Sequence, residues 1–204
     1  MIIILLQNFH YYFSLIVCLL LIIFLIIKKF NFKFNAIKLS ILILSLFFLQ
    51  SIFLSYFQYL AFKEHPISKY LLPPYQPLSY FIFYSLYHYF SDFYFRILGG
   101  IINLLTVIVL NFLFKKTLFY DDEYRIVFLS SILINFPFNL LIIPLNLLLI
   151  FFIHFKNFLF QKQFILEKIS TKNYWLFICF FLIIINIIFI NDENLKQILF
   201  NFKP

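Results

Sequence analysis

Thirty consecutive residues, Ile126 to Phe155, carry no aspartate, glutamate, lysine or arginine, and Met1 to Ile27 carry none either. About 20 apolar residues suffice for one helix to cross a bilayer. Segments this long and bare satisfy their backbone hydrogen bonds internally as helices, which lipid requires of them. Charged residues make up 12% of the 204-residue chain, against about 25% in an average soluble domain. A water-soluble fold of this length could not hide that much apolar surface, so lipid must cover part of it. The sequence therefore predicts an all-α, polytopic membrane protein forming one transmembrane domain over residues 1–204.

The runs between polar links predict six spans: Met1 to Ile27, Leu39 to Phe62, Pro77 to Phe95, Ile97 to Phe114, Ile126 to Phe155 and Asn173 to Ile190. Gln50 and Gln58 in the second span should face another helix, because amides are costly against lipid. The link Lys63 to Gln76 holds Pro66, Pro73 and Pro74, which prevent continuous helix there. Residues 126–155 exceed one crossing. Pro137 and Pro144 lie inside, so a kinked helix or one broken into a re-entrant piece is expected. Asn135, Asn139 and Asn146 sit around that break and can satisfy backbone groups it frees. Tyr174 and Trp175 read as interface anchors at the start of the last span.

The net charge is +8. Most lysines flank apolar runs, so the charge reads as topology and lipid headgroup contact, with no nucleic-acid partner implied. The link after span one holds Lys28, Lys29, Lys33 and Lys38. The link after span five has Lys156, Lys162, Lys168 and Lys172 against Glu167. Six spans put these two basic links on one side and both termini on the other.

Phe90 to Asn103, FSDFYFRILGGIIN, holds the two glycines of the chain, Gly99 and Gly100, and one of its two arginines, Arg96. Asp92 and Arg96 are spaced i, i+4 and share a helix face. Such charges are functional candidates within a membrane. Because they fall between two predicted spans, the charge count favours a tight turn at the surface, with the glycine pair permitting a hinge or the close approach of another helix.

The remaining candidates are scattered. Glu64 and His65 lie at a membrane edge, where an acid and an imidazole can exchange protons, or simply form a solvated loop. His88 and His154 read as packing residues. Asp121, Asp122 and Glu123 read as a solvated acidic loop. Cys18 and Cys179 lie inside apolar runs and are expected as buried free thiols, with no metal or redox spacing. No P-loop, dinucleotide fingerprint, HExxH or nucleophile elbow occurs, and no catalytic, metal or cofactor residue is assigned.

The chain has 34 Phe and 14 Tyr, with Ile, Leu, Asn and Lys abundant, all residues with codons rich in A and T. In this usage and size it resembles small inner-membrane proteins encoded in very AT-rich, ciliate-like mitochondrial genomes. Tyr89 to Leu113 looks like the third-helix region of NADH dehydrogenase subunit 6, with Gly100 at that family's glycine and Leu98 where its tyrosine stands. The same stretch resembles the arginine helix of ATP synthase subunit a, with Arg96 as the arginine. Pro77 to Leu86 and the following helix are similar to early helices of lipid-sugar-dependent glycosyltransferases, which would put Glu64 in a catalytic-acid loop. Gln58 to Phe62 is similar to a segment of twin-arginine translocase channel subunits. The first resemblance implies a structural or proton-path-lining subunit of a respiratory complex in the mitochondrial inner membrane. Its partners would be other membrane subunits and bound phospholipid such as cardiolipin. The third implies a membrane enzyme instead.

Overall fold

The computed structural model describes residues 2–26, 32–115, 118–161 and 171–191. Among these residues seven helices follow in order: α1 (Ile2–Ile26), α2 (Phe32–Glu64), α3 (Leu78–His88), α4 (Ser91–Leu113), α5 (Glu123–Leu133), α6 (Ile142–Gln161) and α7 (Lys172–Asn191). Short 3-10 turns occupy Ser68–Leu71 and Phe138–Leu141, and no strand occurs among the described residues. Among the described residues, three helical stretches are long and apolar enough to cross a membrane: Ala36–Glu64, Ser91–Leu113 and Phe138–Lys156. The lysines at 28, 29, 162 and 168 lie outside the described residues.

The third predicted span is corrected. Its 11-residue helix α3 is about 16 Å long, too short for a hydrocarbon core of about 30 Å. The break falls at Tyr89 and Phe90, whose N–H groups both reach back to the Ser85 carbonyl, at 2.8 and 3.3 Å. From Ser91 onward the chain is continuous helix through Gly99 and Gly100. The glycines are therefore not a hinge, and Asp92 to Gly100 is not a surface turn. Glycine costs about 1 kcal/mol in a helix interior. The contacts that its bare backbone allows offset that cost here.

The expectation of a kink or break in residues 126–155 at Pro137 and Pro144 divides in two. Pro137 sits in a true break: α5 stops at Leu133, and Ile134 turns extended before the 3-10 turn starts at Phe138. Pro144 makes no kink. It falls in the first turn of α6, where the missing N–H is no loss.

Helix α5 is the centre of the bundle. Glu123, Ile126, Val127, Leu129, Ser130, Ser131, Ile132 and Leu133 are all buried. A helix covered on every side has to be packed by neighbours all round, and α2, α4 and α7 supply them. The α1–α7 pair closes one flank, where Cys18 Sγ donates to the Leu176 carbonyl at 3.4 Å and Cys179 Sγ to the Ser130 carbonyl at 3.5 Å. Both cysteines are free and buried.

Two hydrogen bonds fix how the chain is threaded. Thr171 N–H donates to Glu123 Oε1 at 2.7 Å, and the Thr171 hydroxyl to Glu123 Oε2 at 3.0 Å. The starts of α5 and α7 therefore lie at the same end of the bundle. In six simple spans they would lie at opposite ends. Helix α1 runs towards that end too, since Tyr11 meets Asn135 beyond the tip of α5, while Cys18 meets the first turns of α7.

Candidate functional site

The buried face of α4 carries Arg96, the adjacent Gly99 and Gly100, Asn103, Val107 and Asn111, each step along the face being three or four residues. That spacing puts them in one stripe along the helix. Polar side chains on a helix in lipid must turn inward, and here Arg96 and Asn103 turn onto the broken end of α5.

Arg96 is fully buried. Its Nε donates to Asp92 Oδ2 at 2.9 Å, and the Asp92 side chain is 39% exposed. Its Nη1 donates to the carbonyls of Ile132 at 2.9 Å and Leu133 at 3.1 Å. These are the last residues of α5, where a helix leaves carbonyls without intrahelical partners and concentrates negative potential. The guanidinium lies 4.2 Å from the Phe47 ring centroid of α2, within cation–π range. Arg96 thus ties three helices together at one point: α4 by its own backbone, α5 by its carbonyl end and α2 by a ring.

The next turn of α4 is reserved for the link after α5. A Cβ on Gly99 would collide with the Asn139 amide, and one on Gly100 would sit 3.0 Å from both Ile132 Cγ2 and Phe128 Cε2. Asn103 Nδ2 donates to Ser131 Oγ at 2.9 Å and to the Asn139 carbonyl at 2.7 Å. So Asn103 satisfies a second backbone group that the break frees. Replacing Gly99 with alanine is expected to cost roughly 1–3 kcal/mol by overpacking. Adding Asn139→Ala should give a double mutant less destabilised than the sum of the two. Thermal unfolding in detergent micelles reads both.

Five polar atoms from the break to the second turn of α6 are buried with no hydrogen-bond partner among the described residues: Arg96 Nη2 and the amide oxygen and nitrogen of Asn139 and of Asn146. Left dry at about 1–3 kcal/mol each, they would cost roughly 5–15 kcal/mol together. That is as large as the net stability of a typical fold, about 5–15 kcal/mol.

At the other end of α4 the polar groups are paired. Asn111 Nδ2 donates to the Phe119 carbonyl at 2.9 Å and to Tyr124 Oη at 2.6 Å, and Asn111 Oδ1 accepts from Phe119 N–H at 3.1 Å. Glu123, expected in a solvated loop, is instead completely buried. Besides Thr171 it accepts from Tyr120 N–H at 3.3 Å. It places negative charge at the N-terminus of α7, where the helix dipole favours it. Asp121 remains exposed. Trp175, expected at the membrane interface, is also fully buried, with its ring 5.8 Å from that of Phe119. Its neighbour Tyr174 is 38% exposed.

The remaining predicted residues do not join this cluster. Glu64 ends α2 and is exposed. His65 is exposed, and its Nδ1 accepts from the N–H groups of Ile67 at 3.3 Å and Ser68 at 3.2 Å, which makes it a turn-forming acceptor. His88 lies on the outer side of α3 with its ring 4.3 Å from that of Tyr84. His154 is half-buried on α6. Tyr89, in the junction between α3 and α4, donates to Gln58 Oε1 at 2.8 Å. Burial, with Tyr84 beside it, raises its pKa well above the ordinary phenol value, so it holds its proton and remains a donor. No three His, Cys, Asp or Glu side chains come together to hold a metal ion among the described residues.

Sequence reasoning paired Asp92 with Arg96 and gathered the asparagines, but missed Asn103, Asn111 and Glu123. The one available signal was spacing: Arg96, Asn103 and Asn111 recur every seven or eight residues on an otherwise apolar helix. Comparison of the chain with protein-family models, with curated proteins and with solved structures found no match.

Proposed function

We propose that this protein is a non-catalytic membrane subunit of a large hetero-oligomeric respiratory assembly in the mitochondrial inner membrane, the membrane arm of NADH dehydrogenase in the first instance. Its role is structural or proton-path lining. The observation that supports this is how the charges inside the bundle are used. Arg96 holds a helix end, Asp92 balances it, and Glu123 caps a second helix. Charges kept in a membrane at such cost usually mark function. Here they fasten one helix to its neighbours, which suits a subunit valued for its shape. The outward face of α4 supports the same reading. Tyr94, Leu98, Leu105, Val109 and Phe112 stand at least half exposed, and apolar area of that kind is offered to lipid or to other membrane subunits.

The threading that goes with this reading has four crossings, α1, α2, α4 and α7. The α5–α6 pair enters and leaves on one side as a re-entrant hairpin. Both basic links then fall on the matrix side and both termini on the other, as the positive-inside rule asks. Solubilised gently from its native membrane, the protein should migrate on native gels at megadalton size together with NADH-oxidising activity. Recovery as a free monomer would rule the assembly out.

A further inference from the structure

We propose that the helix break is a built water site, in which Arg96 Nη2 and the side-chain amides of Asn139 and Asn146 hold ordered water. All five of these polar atoms are buried and lack hydrogen-bond partners among the described residues. Arg96, Asn139 and Asn146 are each 0% exposed, so neither a lipid headgroup nor a neighbouring subunit reaches them. A lipid tail offers no hydrogen bond. An ion is disfavoured because Asp92 already balances the guanidinium. The unpartnered atoms include both donors and acceptors, since Nη2 and the amide nitrogens donate while the amide oxygens accept. Water is the small neutral species that does both, and buried polar groups commonly recruit it. Asp92, whose side chain is partly exposed one turn from Arg96, marks the end through which that water exchanges. A hydrated thread at this place is what proton-path lining would use, although the site stands whichever assembly the protein joins.

X-ray hydroxyl-radical footprinting of the intact protein in phospholipid nanodiscs tests this, because radicals made from bound water label the side chains around it. Leu133, whose carbonyl Arg96 holds, and Leu182 in α7 are almost equally buried, at 1% and 2% exposure. Leu133 should label at least tenfold faster than Leu182, and Asn139→Leu should bring the two rates together. Equal rates in the unmodified protein would overturn the proposal, as would fast Leu133 labelling that Asn139→Leu leaves unchanged. Fast labelling in a protein that migrates as a free monomer would sink the assembly reading and leave the water site standing.

Discussion

Arg96→Leu is expected to destabilise the folded protein by roughly 3–5 kcal/mol, the cost of breaking a buried, hydrogen-bonded charge pair from one side. The leucine fills part of the volume but leaves the Ile132 and Leu133 carbonyls without their donor and removes the guanidinium from Asp92. Arg96→Lys separates geometry from charge. One ammonium cannot reproduce a planar fork that serves Asp92 with one nitrogen and two carbonyls with another. It should therefore recover only part of the loss, about half of it. Asp92→Asn should cost less, about 1 kcal/mol, because that carboxylate is partly exposed and an amide oxygen can still accept from Nε. Equilibrium unfolding in mixed micelles gives the order Arg96→Leu worst, Arg96→Lys intermediate, Asp92→Asn mildest. If Arg96→Leu were as stable as the parent, the arginine would not be fastening α5.

The second large effect is expected at Glu123. Glu123→Ala removes the acceptor for two backbone N–H groups and one hydroxyl, all within a buried pocket. Unsatisfied buried donors and a lost helix cap together imply roughly 2–4 kcal/mol. Glu123→Gln keeps one acceptor oxygen and loses the charge that suits a helix N-terminus, so about half of that loss is expected. Hydrogen exchange should localise the change: the first turns of α7 should lose protection in Glu123→Ala before α2 does. Uniform loss across the chain would mean that the carboxylate supports α5 alone.

Much of this fold can be read along the chain. Helices α1, α2, α4 and α7 each contain a long run bare of charge, and lipid gives such runs no alternative to helix. The break near residue 137 was readable because proline both removes a donor and displaces the preceding turn. Two features misled for physical reasons. Gly99 and Gly100 look like a flexible point, yet here their missing side chains make room for Asn139, Ile132 and Phe128. The true break at Tyr89 and Phe90 carries no glycine or proline to announce it. Burial of Glu123 and Trp175 depends on partners brought together by tertiary structure. Thr171 is 48 residues from Glu123 and Phe119 is far from Trp175 in sequence, so local pattern described an acidic loop and an interface anchor. The i, i+4 rule found Asp92 for Arg96, whereas the carbonyls that complete its coordination lie 36 and 37 residues away.

The arginine clasp and the glutamate cap both belong to one arrangement, a broken helix pair that leaves the starts of α5 and α7 at the same end of the bundle; in the proposed threading this pair enters and leaves the membrane on one side. Sidedness labelling tests it directly. Single cysteines placed at Asp121 and at Lys156, both exposed, in a background lacking Cys18 and Cys179, are reacted with a membrane-impermeant maleimide in sealed, oriented vesicles. A cysteine at Glu64, at the far end of α2, reports the opposite face. Positions 121 and 156 should label from the same side and position 64 from the other. Labelling of 121 and 156 from opposite sides would contradict the hairpin and restore residues 126–155 as a full crossing.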